Sequence, residues 1–118
     1  MIEQLIARIF ATRNAAHLAH WKESSGYRHE TLAEFYDNLL DAIDKLVEAH
    51  QGAFDLIGDV DLEPAKVKDM VKRLEEDMVW ISENRAKITG KLQTLDNILQ
   101  ELEGVYLKAL YKLRNLLS

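Results

Sequence analysis

The sequence predicts an all-α protein built as a four-helix bundle, and three observations carry that prediction. Five glycines and one proline interrupt 118 residues, so helix breakers are scarce. Apolar residues recur at three- and four-residue spacing in four separate stretches of about twenty residues, the period of a helix that buries one face. Four such helices close a core most simply by packing on one another. A chain of this length is expected to form one domain, residues 1–118. It can bury about two thirds of the surface its unfolded form exposes, enough for a core without staples.

The first helix is expected from Ile2 to Lys22, with Ile2, Leu5, Ile6, Ile9, Arg13, Ala16, His17 and His20 on one face. Its opening, MIEQLIARIF, carries Glu3 and Arg8 at helical spacing and reads as helix, not as a signal peptide. A Ser-Ser-Gly turn follows, and the second helix is expected to begin near His29 or Thr31. Its stripe is Leu32, Phe35, Tyr36, Leu39, Ile43, Leu46, Val47, His50 and Phe54, and Gly52 weakens its end. Asp55 to Glu63 reads as a loop. Asp61 or Glu63 is the expected cap of the third helix, with Pro64 in its first turn, where a missing N–H costs nothing. The spacing leaves open whether this connection crosses the bundle end or runs along it. The third helix carries Val67, Met70, Val71, Leu74, Met78 and Ile81 and is expected to stop between Ser82 and Gly90. The fourth runs from about Lys91 to Leu116, burying Leu92, Leu95, Ile98, Leu99, Leu102, Val105, Tyr106, Ala109, Leu113 and Leu116.

Composition excludes several functions. The net charge is −5, with fifteen Lys and Arg scattered among twenty acids. A phosphate-binding surface needs clustered positive charge, so a nucleic-acid partner is not expected. Lys108, Lys112 and Arg114 form a locally basic end, read as a solvated helix face. With no cysteine, disulfides and thiolate metal sites are out, which suits a cytoplasmic protein. No apolar run approaches the ~20 residues of a bilayer span, so no membrane partner is expected. No glycine-rich phosphate loop occurs, and Ser24 and Ser25 sit in a turn without an oxyanion-hole pattern.

Chemistry concentrates in HLAHWKESSGYRHETLAEFYD, residues 17–37. Arg13, His17 and His20 stand where the first helix should be apolar, and a buried polar ring needs a partner. The second helix offers His29, Asp37, Asp41, Asp44 and Glu48. Imidazole and carboxylate together can hold Fe, Mn or Zn. The plainer alternative is hydrogen-bonded core histidines beside solvent-facing acids. The Glu-x-x-His motif of common di-iron bundles is absent. A metal site would therefore draw on the first two helices, from one subunit or from two.

The same stretch carries a resemblance. Ala19-His20-Trp21, a short glycine-containing turn, then Leu32, Glu34, Phe35, Tyr36 and Asp37 resemble the first two helices of the Dps, or miniferritin, family over about residues 15 to 52. A group of small uncharacterised tailed-phage proteins of ferritin-like type is similar over most of the chain. Its words are His17-Leu18-Ala19-His20-Trp21, His29 with Phe35-Tyr36-Asp37, Val47-Glu48-Ala49-His50-Gln51-Gly52, and Leu110-Tyr111-Lys112-Leu113. The resemblance implies a ferritin-like bundle that self-associates and binds or oxidises iron at His20, His29, Asp37 and Glu48, with His17 as neighbour. Trp21 or Tyr36 would shield the site or donate an electron. It also implies phage origin and hence the host cytoplasm. Ala33 replaces the family's second histidine and Gly52 its bridging glutamate, so the ligand set is reduced, and the lysine-rich DNA-holding tail is missing. The competing expectation is a catalytically inactive structural or protein-interaction module.

Overall fold

A computed structural model of the chain describes residues 1–116. The described residues form four helices: α1 (Ile2–Lys22), α2 (Gly26–Ala53), α3 (Met70–Thr89) and α4 (Gln93–Asn115). No strand occurs among them. The all-helical class and the bundle are thus as the periodicity predicts.

α1 packs on α2 and α3, and α4 packs on the same two, so α2 and α3 occupy opposite corners. Cross-helix pairs give the directions. His20 meets His29, Thr12 and Arg8 meet Asp77, Glu34 meets Lys108, and Arg85 meets Asp96. Every adjacent pair is therefore antiparallel, and the diagonal pair α2 and α3 run parallel. That geometry forces the connection between them, residues 54–69, to return along the whole bundle. Near its start the Gly58 N–H donates to Glu3 Oε2 at 2.8 Å, beside the beginning of α1. Near its end Ala65 and Val67 lie against Ala15, Leu18 and Lys22, at the far end of α1. The molecule measures 44 × 26 × 21 Å, and the 28 residues of α2 span about 42 Å of that length.

The predicted stripes meet in the core. Leu5, Ile9, Leu39, Ile43, Leu46, Leu74, Ile81, Ile88, Leu99, Leu102 and Tyr106 are all buried. Each buried aliphatic side chain contributes about 1.5–3 kcal/mol relative to exposure. α1 buries a second line, Ala7, Ala11, Thr12 and Ala15. Its small side chains accommodate contact with α3 as well as with α2.

Boundaries differ from expectation where capping outweighs apolar pattern. α2 begins at Gly26, earlier than His29, because Ser25 Oγ accepts the Arg28 N–H at 3.3 Å. α3 begins later than Pro64. Asp69, not Asp61 or Glu63, is its cap, accepting the Lys72 N–H at 3.1 Å. Pro64 and Val67 belong to the crossover, which needs its full length to reach from one end to the other. Gly90 closes α3 at φ 60°, and the Phe54 ring comes within 2.5 Å of where a Cβ would stand there, so only glycine fits. Leu92 precedes α4 as its cap residue and is 42% exposed instead of buried.

Candidate functional site

Where α1 ends and α2 begins, side chains of residues 13–36 form a stacked ladder. The His20 and His29 rings stack with centroids 3.6 Å apart and planes at 22°. Each holds the other's backbone: His20 Nδ1–H donates to the His29 carbonyl at 2.6 Å, and His29 Nδ1–H donates to the His20 carbonyl at 2.5 Å. A carbonyl can only accept, so these bonds assign the hydrogen of both rings to Nδ1 and, in the neutral form, leave both Nε2 lone pairs unused. The His20 carbonyl lies in the last turn of α1, where its one backbone donor is the Glu23 N–H at a long 3.4 Å, so the His29 ring supplies the shorter bond. The pair is thus a clasp that caps one helix with a side chain of the next.

The ladder continues outward. His17 stacks on Tyr36 at 4.2 Å and 17°, and its other neighbour is Trp21 at 4.6 Å. Tyr36 presents its ring to the Arg13 guanidinium at 5.1 Å and receives the edge of His20. Arg13 Nε is buried without a hydrogen-bond partner among the described residues, while its Nη1 donates to Asn14 Oδ1 at 3.1 Å, so the aromatic face and Asn14 together hold the guanidinium. Trp21 remains 66% exposed at the tip. Helical spacing produces this arrangement: positions 13, 17, 20 and 21 share one edge of α1, and Tyr36 is the α2 residue that faces it.

Of the five residues placed in one metal site, the structure brings His17, His20 and His29 together; Asp37 directly follows Tyr36, on which His17 stacks, and Glu48 lies far along α2. Asp37 is exposed on α2, eight residues beyond His29, about 12 Å along the axis. Glu48 is also exposed, nineteen residues beyond His29, about 28 Å away along the same axis. It lines a groove near the other end of the bundle. Two acids of this region have partners of their own: Glu23 pairs with Arg28 at 3.6 Å, and Glu34 pairs with Lys108 and Lys112 of α4. Among the described residues no three His, Asp or Glu side chains converge at metal-ligand spacing.

The basic end is neutralised in the same way. Glu34 accepts from Lys112 at 3.0 Å and pairs with Lys108 at 2.6 Å, and these two cations hold its carboxyl below the usual range. Arg114 pairs with Glu75 at 2.7 Å. Across the bundle Arg85 binds Asp96 at 2.6 Å and also Glu103, which raises its guanidinium pKa further.

The pattern reading missed Asp77. It is fully buried in α3 and takes hydrogen bonds from Arg8 at 2.9 Å, Thr12 at 2.5 Å and Tyr106 at 2.7 Å, with Arg73 Nε 3.1 Å away. Burial, and then the Asp77 charge, push the Tyr106 phenol well above its ordinary value, so it stays a donor. A signal existed: Leu74, Asp77 and Ile81 fall on one stripe, with a carboxylate where an apolar residue is due.

No helix among the described residues is long and apolar enough to cross a membrane. No curated protein and no solved structure matches the chain. A family model does match, over residues 20–113, from the His20 clasp through nearly all of α4. The chain accordingly belongs to the family of unknown function DUF5856.

Proposed function

We propose that this protein is a ferritin-like assembly module that self-associates through the outer face of α1 and α2. The observation that carries the reading is the ladder of half-buried Arg13, Tyr36 and His17 that ends in the exposed Trp21. It is ordered by stacking within the chain, yet it ends in a tryptophan 66% exposed. Tryptophan, tyrosine and arginine are the residues on which protein interfaces most depend. Charge complementarity supports a second copy as the partner. Arg13, His17 and Lys22 lie along α1, and the exposed Asp37 and Asp41 lie beside them along α2. A two-fold axis sets each strip against the opposite strip of the other copy, as an isologous interface requires. The single long crossover between parallel α2 and α3 is the connectivity expected of a ferritin-like bundle and supports that part of the reading.

Light scattering of the wild type beside Trp21→Asp tests it. The wild type is expected to run as a dimer or larger at micromolar concentration, and the variant as a monomer with unchanged helical content. A wild type that is monomeric at every concentration contradicts the reading.

A second reading, metal binding, is favoured by the clasp geometry. Nδ1–H bonds to carbonyl oxygens orient metal-ligating histidines in general, freeing Nε2. In the assembled form His17, His20 and His29 of one copy would meet Asp37 of another, and iron is the metal the resemblance implies, with Mn or Zn as alternatives. Elemental analysis decides: about one ion per chain, lost in His20→Ala, supports it, and equal content in both proteins contradicts it.

A further inference from the structure

The lower half of the same α1–α2 face is roofed by the crossover, and beneath that roof lies a groove of about 490 Å³. This is within the ~300–1,000 Å³ range of small-molecule sites. Its walls are apolar: Phe10 from α1, Val47 from α2, Ile57 and Val60 from the crossover. Its rim holds two carboxylates, Asp44 and Glu48, four residues apart on one line of α2 and both exposed. Neither has an ion-pair partner among the described residues, whereas Glu34 on the same helix takes two lysines. The roof is fastened on both sides. Gly58 N–H binds Glu3 Oε2 at 2.8 Å, and Ile57 N–H binds Gln51 Oε1 at 3.1 Å. The groove is therefore a built feature and not a gap under a loose strand.

An apolar trough with an aromatic wall and two uncompensated carboxylates at its lip is complementary to one chemical class. We infer that it binds amphipathic organic cations, with the hydrocarbon body against Val47, Ile57 and Val60 and the ammonium head at Asp44 and Glu48. Phe10 adds a ring face to which a cation is attracted. A neutral or anionic amphiphile of the same shape gains the apolar contact, but the anion meets repulsion at the rim. Two exposed charge pairs together favour the cation about fivefold over its neutral isostere.

The experiment is calorimetric titration of the full chain with n-octylammonium, n-octanol and n-octanoate, each kept below its self-aggregation concentration. Octylammonium is expected to bind about fivefold tighter than octanol, with octanoate weakest, and high salt should shrink the advantage. Backbone amide signals of Ile57 and Val60 should shift on binding. The double variant Asp44→Asn, Glu48→Gln places isosteric amides at exposed positions. It should keep its helical content and bind octylammonium no better than octanol. Equal affinity for all three probes, a cation preference that survives in the double variant, or no saturable binding overturns the inference. None of these outcomes depends on the oligomeric state, because Trp21→Asp should bind octylammonium as the wild type does.

Discussion

Asp77 joins three helices at one carboxylate. Arg8 and Thr12 reach it from α1, Arg73 from its own helix α3, and Tyr106 from α4. Removing it leaves the half-buried Arg8 without its counter-ion and Arg73 with only Glu63, 4.0 Å away, and takes a buried acceptor from Thr12 and Tyr106. Asp77→Ala is expected to cost about 3–5 kcal/mol in urea unfolding, as for other broken buried pairs. A loss below about 1 kcal/mol, the range of exposed pairs, would show that solvent already reaches the cluster. The carboxylate's place on an apolar stripe is legible in the sequence. Its partners are not, because they lie 65 and 29 residues away and only the packed bundle brings them in. The histidines divide similarly. Helical spacing puts His17 and His20 on one edge, but the reciprocal Nδ1–carbonyl clasp depends on α2 starting at Gly26. The apolar pattern alone does not show that start, and the Ser25 cap sets it.

At the scale of elements, the crossover is the informative piece. Its anchors depend on pH with one sign. The Gly58 N–H, foremost, holds Glu3 below its ordinary value, and the nearby N-terminus contributes in the same direction. A carboxylate with a lowered folded pKa gives stability that is present above its unfolded value, about 4.5, and lost as pH falls through the folded value. His50, at the end of α2 against Phe54, is lowered by desolvation, and the positive N-terminus of Met1 adds to that while Glu3 opposes it. Its unfolded form binds the proton first, so folding weakens as pH falls below about 6.5. Protection from hydrogen exchange, taken relative to the intrinsic rate at each pH, is expected to fall at Phe54, Ile57 and Gly58 between neutral pH and about pH 5, before the middle of α4 responds. Uniform exchange across the chain would contradict this. Glycines supply a paired check. Gly104 stands in mid-α4 with nothing within 4 Å of where a Cβ would stand, so Gly104→Ala should stabilise by about 0.5–1 kcal/mol. Gly90→Ala should destabilise, because φ is 60° and Phe54 occupies the space. Thermal melts of the two variants should move in opposite directions. The helices themselves are the most legible part of the sequence, since a three- and four-residue period survives any choice of neighbour. The path of the connection is the least, because Asp61, Glu63 and Asp69 are equivalent as caps until the distance to be spanned is known.

For the whole molecule, one face of α1 and α2 is divided in two. The crossover covers the lower half and makes a groove. The upper half is left to the stacked ladder and to Trp21, and we assign it to a second copy. Trp21 and Trp80 are the two tryptophans, and Trp80 lies under the Arg8 guanidinium at 5.1 Å, away from that face. Replacing Trp80→Phe leaves Trp21 as the single reporter of the proposed interface. The measurement is its emission and its quenching by iodide across a dilution series from nanomolar to tens of micromolar, with helical content followed alongside. Self-association through this face predicts emission that moves to shorter wavelength, and quenching that weakens, as concentration rises. Emission and quenching that stay those of an exposed tryptophan at every concentration would contradict it.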